Sequence, residues 1–282
     1  MNIKISKNSG YCMGVKNAFV KSYQIAESYT NVCMFGEIVH NRFAIAKLFE
    51  KGVILKKDLE DIINDSNIKN VIIRAHGIPP FQEEKLKQSG KNIFDLTCPK
   101  VKRVQLLARE LTNKGYDIII LGKKDHPEII GISGYCNNNC NIINNIDEFK
   151  NLKIINDKKY CFIAQTTSDP LIFDEIADYI KKNYHNIEIK NTLCRAPILI
   201  QEDTIKLAKE VDIMLVVGDK MSANTTTLFN LSSKYTTTYF VETSSDVKDI
   251  DFTNKVIGIT GGSSTPWWQI EEISDYLRRK YK

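Results

Sequence analysis

No stretch of the 282-residue chain approaches the roughly 20 consecutive apolar residues that a membrane-spanning helix needs, so a membrane partner is not expected. The opening residues, M-N-I-K-I-S-K-N-S-G-Y, hold no apolar signal core, which argues against export and for a cytoplasmic location where thiols stay reduced. A long basic face interleaved with stacking aromatics is also missing. The densest basic group, Arg278, Arg279, Lys280 and Lys282, ends the last predicted helix, where cations complement the helix dipole, and nucleic acid is not an expected partner. The cysteines number seven, an odd count that does not suit a disulfide framework and points in a reducing compartment to metal or cluster ligands.

What is present is globular in kind: 43% hydrophobic and 26% charged residues. The net charge of +5 suits an anionic substrate without identifying one.

Three cysteines mark out the chain. Cys12 lies 86 residues before Cys98, and Cys194 lies 96 after it. Counting 24 residues on from each reaches a glycine, Gly36, Gly122 and Gly218, and counting 28 on reaches His40, His126 and Ser222. Shared offsets over near-equal spacings signal an internal repeat of one supersecondary block. The blocks are read as lobes at 12–97, 98–193 and 194–282, the last short of one strand that residues 1–11 could supply by circular exchange.

Each block alternates apolar runs with helical periodicity. Examples are V-C-M-F-G, N-V-I-I-R-A, D-I-I-I-L-G, Y-C-F-I-A, D-I-M-L-V-V-G and K-V-I-G-I-T as strands, with helices opening near Arg42, at the prolines 79–80 and at Pro170. Buried parallel strands read as continuous apolar runs, so the expected fold is three small α/β lobes with parallel sheets around a pseudo-threefold axis. Ligands in such sheets collect beyond the carboxyl ends of the strands, where the loops carrying His40, His76, His126, Thr166, Ser222 and Ser264 fall.

Three thiolates are soft ligands for zinc or an iron–sulfur cluster. A cubane normally takes four cysteines, so three would leave one iron open to a substrate oxygen. His40, His76, Ser222, Asn224 and Ser264 are donors beside predicted helix N-termini, the arrangement that holds phosphate. Glu128 in D-H-P-E is placed to act as a general acid, with Thr166 of Q-T-T the matching loop residue of its block; as a first-turn helix residue it would equally answer the helix dipole. Cys33 and Cys161 fall inside strands and are expected in the core. C-N-N-N-C, with Cys136 and Cys140, is read as a polar loop lacking the second pair of a zinc site.

The ordered set G-Y-C-M-G-V, V-H-N, A-H-G, T-C-P, H-P-E, Q-T-T, S-x-N-T and G-x-S-x-P, spread over essentially the full length, resembles the LytB/IspH family of 4-hydroxy-3-methylbut-2-enyl diphosphate reductases. The resemblance implies a three-lobed α/β fold with one [4Fe–4S] cluster on Cys12, Cys98 and Cys194. It implies a reductive dehydroxylation of an allylic diphosphate to isopentenyl and dimethylallyl diphosphates, the last step of the non-mevalonate isoprenoid pathway, with a ferredoxin or flavodoxin as electron donor. Glu128 would be the catalytic proton donor, His126 and Thr166 would complete the relay around the hydroxyl, and His40, His76, Ser222, Asn224 and Ser264 would hold the diphosphate.

The chain departs from the family pattern after its third cysteine, where Pro197 stands in place of threonine and Ile200 in place of arginine, and at Ala223, where a second serine is usual. Two rival readings are another three-cysteine cluster enzyme resembling quinolinate synthase, and a non-catalytic iron–sulfur redox sensor. Neither needs D-H-P-E or the S-x-N-T loop.

Overall fold

The structure is a computed structural model and describes residues 2–137 and 139–281; Met1, Asn138 of C-N-N-N-C and Lys282 of the basic terminus lie outside the described residues. In chain order the first elements are β1 (Asn2–Ile5), α1 (Met13–Ser28), β2 (Val32–Phe35), α2 (Arg42–Glu50), β3 (Ile54–Lys56), α3 (Leu59–Ile63), β4 (Asn70–Ile73), α4 (Pro80–Gln88) and β5 (Asn92–Asp95). There follow α5 (Pro99–Asn113), β6 (Tyr116–Leu121), α6 (Pro127–Tyr135), β7 (Cys140–Ile143), α7 (Ile146–Lys150), β8 (Lys159–Ala164), α8 (Pro170–Asn183) and β9 (Ile187–Ile189). The last are α9 (Arg195–Ala208), β10 (Ile213–Val217), α10 (Ala223–Ser232), β11 (Thr237–Val241), β12 (Val256–Gly261) and α11 (Trp267–Lys280).

The strands form three four-stranded parallel sheets with one plan, ordered β3-β2-β4-β5, β7-β6-β8-β9 and β11-β10-β12-β1. The third sheet takes β1 in the place that β5 and β9 hold in the others, with Ile3 opposite Ile257. The central pair of each sheet is largely apolar because both faces are covered: β2, β4, β10 and all but the first residues of β6, β8 and β12 are buried. Cys33 and Cys161 lie in these strands without exposure, as expected of core cysteines.

The described chain divides into two compact units, Met1–Tyr29 with Glu37–Val53 and Arg195–Lys282, and Thr30–Gly36 with Ile54–Cys194. These cut the chain elsewhere than the repeat does. In the first unit α1 packs on α2 and sets Phe19 against Trp268 of α11, ring centroids 4.9 Å apart, so the helix after Cys12 shares a core with the third sheet. The second unit holds the other two sheets.

Two edge strands, β3 and β7, were not expected from sequence. They are three and four residues long and half-exposed, too short for a period to show. The segment read as a polar loop at C-N-N-N-C accordingly ends in a strand: Cys136 caps α6 and Cys140 opens β7.

The core of the sheet containing β8 is aromatic. Phe162 is fully buried and stacks on Phe173 of α8 with centroids 5.1 Å apart. Replacing Phe162 by alanine leaves a void that rigid parallel strands cannot close, and should lower unfolding free energy by about 3–5 kcal/mol, read from urea denaturation.

Candidate active site

One backbone hydrogen bond recurs in all three sheets. The N–H of Cys98 donates to Ala75 O (2.9 Å), that of Cys194 to Thr166 O (2.7 Å) and that of Cys12 to Ser263 O (3.3 Å). Each acceptor stands two residues beyond the end of a central strand, β4, β8 and β12. Each cysteine is half-buried and directly precedes the first residue of a helix of at least 14 residues, α5, α9 and α1. The glycines at the other shared offset are equally matched, since Gly36, Gly122 and Gly218 donate to Lys56, Ile143 and Val241, at 2.8, 2.8 and 3.0 Å. A side chain has no room there: a Cβ on Gly122 would lie 2.6 Å from Ile129 Cδ1, and Gly218, at φ 145°, also needs glycine's backbone freedom.

In the second unit these bonds connect the candidate residues. His76 follows Ala75, and its ring meets that of His126 edge-on, centroids 5.3 Å apart. His126 caps α6, accepting from Glu128 N at Nδ1 (3.1 Å), an arrangement that leaves Nε2 to carry the ring proton. Pro127 in the first helical position needs no hydrogen-bond acceptor there. Glu128 is buried and its carboxyl accepts from Thr166 N (2.6 Å) and from the Thr166 hydroxyl (2.9 Å). Thr166 in turn holds Cys194 through its carbonyl. A continuous series of contacts thus runs from Cys98 through His76, His126, Glu128 and Thr166 to Cys194.

Burial pushes the Glu128 carboxyl up to about 7, against the lowering effect of the two Thr166 hydrogen bonds. Desolvation outweighs them because a carboxylate at 2% exposure loses most of its hydration. An acid half-protonated near neutral pH is suited to giving a proton to a reacting group.

In the first unit the candidate donors cluster on the loops after β10 and β12. The Ser222 hydroxyl caps α10 at Thr225 N (3.4 Å) and lies 2.8 Å from the Ser264 hydroxyl. Asn224 Nδ2 donates to Ser263 Oγ (3.2 Å), and the chain carrying Cys12 is tied down beside them by Tyr11 N on Thr265 O (2.8 Å). His40 is exposed in the loop before α2, its Nδ1 3.6 Å from Glu37 Oε2. The capping role that the 28-residue offset gives His126 and Ser222 passes here to Asn41, whose side chain accepts from Ala44 N.

Sequence reasoning missed two supports of these loops and one buried amide in the second unit. Asp219 accepts from Arg42 N (2.9 Å) and Met221 N (2.8 Å), bracing the loop before α10. Asn41 also donates to Gln269 Oε1 (3.3 Å), and its place before an apolar helix was a readable cap signal. Gln105 is buried in α5 against Gly77, which follows His76, and against Gly131 of α6, the helix of Glu128, with neither amide atom in a hydrogen bond among the described residues. Its signal was a polar residue on the face of Val101, Val104 and Ala108.

The family departures are absorbed. Pro197 sits in the first turn of α9, where a missing N–H costs no helical bond, and Ile200 packs in a small core with Val216 and Leu228. Ala223 opens α10 between Ser222 and Asn224.

Parallel α/β sheets with a buried carboxyl of raised pKa and hydroxyl-lined loops at the carboxyl ends of their strands define the chain as an α/β enzyme. Its sequence matches the model of the LytB protein family over residues 3–278, and the chain belongs to that family. It is 38% identical over 280 residues to the 4-hydroxy-3-methylbut-2-enyl diphosphate reductase of Clostridioides difficile, covering 98% of this chain and 99% of that protein. It is similar to a solved (E)-4-hydroxy-3-methyl-but-2-enyl diphosphate reductase described as the terminal enzyme of the non-mevalonate pathway, with a TM-score of 0.79, 33% identity and 99% coverage of both chains. The E-1-hydroxy-2-methyl-but-2-enyl-4-diphosphate reductase from Plasmodium falciparum superposes with a TM-score of 0.84 at 26% identity, over 98% of this chain and 87% of that one. Among the described residues no helix is long and apolar enough to cross a membrane.

Because the Glu128 pKa is raised on folding, its contribution to stability is fully present below the unfolded value near 4.5 and is lost as pH rises to about 7. Glu128→Gln removes that penalty. The variant should match the parent near pH 4.5 and exceed it above pH 7 by about 3 kcal/mol at most, measured by urea denaturation across pH.

Proposed function

We propose that the chain is a 4-hydroxy-3-methylbut-2-enyl diphosphate reductase, taking up two electrons and two protons to remove the C4 hydroxyl as water and release isopentenyl or dimethylallyl diphosphate. The observation that carries this reading is the buried Glu128 carboxyl on Thr166, whose carbonyl holds the Cys194 N–H. Cys12, Cys98 and Cys194 would together hold one [4Fe–4S] cluster, which when bound supplies the electrons and an open iron that acts as a Lewis acid. The donor set fits: three half-buried thiols in equivalent backbone positions, each at the positive end of a helix that complements an anionic thiolate–metal centre.

The protein's own groups then divide the work. Glu128 gives the proton that lets the hydroxyl leave as water, with Thr166 holding its carboxyl in one orientation. His126, its Nδ1 occupied by Glu128 N, offers Nε2–H to the same oxygen. His40, His76, Ser222, Asn224 and Ser264 grip the diphosphate. The nearest source of electrons by family is a small ferredoxin or flavodoxin, and the location is cytoplasmic.

The test is anaerobic: the reconstituted protein is given the hydroxylated C5 diphosphate and dithionite-reduced viologen. Viologen oxidation with formation of C5 diphosphates is expected, and absence of both removes the assignment. Turnover should fall as pH rises through about 7, where Glu128 loses its proton. Glu128→Gln should lower kcat by about 10²-fold or more and abolish that limb of the profile. Ser264→Ala removes one donor to the diphosphate and should raise KM by ~10-fold with kcat nearly unchanged, since a hydrogen bond to a charged group contributes roughly 1.5–3 kcal/mol.

A further inference from the structure

We propose that Cys136 and Cys140 are a reversible thiol–disulfide pair, a modification site that closes across the carboxyl end of α6 on contact with an oxidant of the disulfide class. The backbone brings the two together. Cys136 is the C-cap of α6, Asn137 takes the left-handed conformation at φ 53°, and Asn139 N donates to Cys136 O (2.9 Å), turning the chain so that Cys140 enters β7 beside the helix end. Cys140 packs against the core cluster to which Cys136 belongs, with Ile132, Tyr135 and Cys161, and its Sγ reaches the Ser133 hydroxyl on the last turn of α6, one turn before Cys136. Two cysteines four residues apart and packed in one cluster need only a small backbone movement to bond.

The two thiols are unequal. Cys136 is wholly buried, its Sγ directed to Ile132 O at 3.5 Å, and its pKa is raised by the Cys140 thiol and by burial. Cys140 is half-buried, its Sγ 3.2 Å from the Ser133 hydroxyl. Its pKa is lowered, chiefly by the Cys136 thiol and, against burial, with help from Ser133. Cys140, the accessible thiol of the two, is therefore the attacking group and the wholly buried Cys136 the resolving one. By contrast Cys33 and Cys161 are fully buried and pushed up to about 11 and about 12, which leaves them inert.

The chemistry balances as a thiol–disulfide exchange. The Cys140 thiolate attacks one sulfur of a low-molecular-weight disulfide, forms a mixed disulfide and expels one thiolate. Cys136 then loses its proton to solvent and displaces the second thiolate, forming the Cys136–Cys140 bond. The protein loses two electrons, the small disulfide gains them, and excess thiol reverses the exchange. In a reducing compartment such a bond forms only transiently.

Proteolysis after Lys124 and Lys150 gives one peptide, residues 125–150, that carries Cys136 and Cys140 and no other cysteine. The full-length protein is treated with oxidised glutathione at a concentration that leaves its circular dichroism unchanged, alkylated with N-ethylmaleimide, digested and weighed. The expected peptide is unalkylated and two hydrogens lighter than the dithiol form, and dithiothreitol restores two alkylation sites. Cys136→Ser should stop at one glutathione on Cys140, Cys140→Ser should leave Cys136 unmodified, and Ser133→Ala should slow Cys140 alkylation several-fold. Two alkylated thiols after prolonged oxidation, two glutathiones on the parent peptide, or a Cys140 that alkylates no faster than Cys161 would overturn the proposal.

Discussion

The hydrogen bond from each cysteine's N–H to the carbonyl two residues past a central strand is what the remaining structure serves. Main-chain bonds of this kind do not depend on side-chain rotamers, so they hold a thiol to a strand end with little freedom. The strands are rigid because both faces are buried, and the cysteine loops inherit that rigidity. In the second unit the same bonds also register His76 and Thr166, which occupy or adjoin the acceptor positions, so that the cysteines and the side chains around Glu128 are placed by one device.

Glu128 shows the cost of such a site. A carboxyl desolvated to this degree weakens the fold at neutral pH, and its two contacts with Thr166 only partly offset the loss. Gln105, with its buried amide outside any hydrogen bond among the described residues, is a second place where the core gives up stability beside the site. Strain of this sort gathers where a protein acts, and both residues belong to the elements that carry His126 and Cys98.

Much of this was legible in the chain. The offset of 24 residues from each cysteine marked Gly36, Gly122 and Gly218, and all three close a central strand with the same backbone bond. Helix starts at Pro80 and Pro170 were readable because proline constrains its own backbone. The edge strands β3 and β7 escaped, since three or four half-exposed residues carry no periodic signal, and with β7 escaped the pairing of Cys140 with Cys136. The offset of 28 marked His126 and Ser222, which both cap helices, while in the first block the cap of α2 is Asn41, one residue after His40.

The sequence by itself determined the threefold repeat, the identity of its sulfur and carboxylate groups and the order of the central strands and long helices, because apolar runs, caps and prolines act locally. Only the tertiary structure decided that α1 joins the core of α11 and that Glu128 is a buried acid rather than an exposed first-turn carboxylate. Those outcomes depend on which distant segments exclude water from a group, and desolvation is a property of the packed neighbourhood that no local stretch of chain encodes.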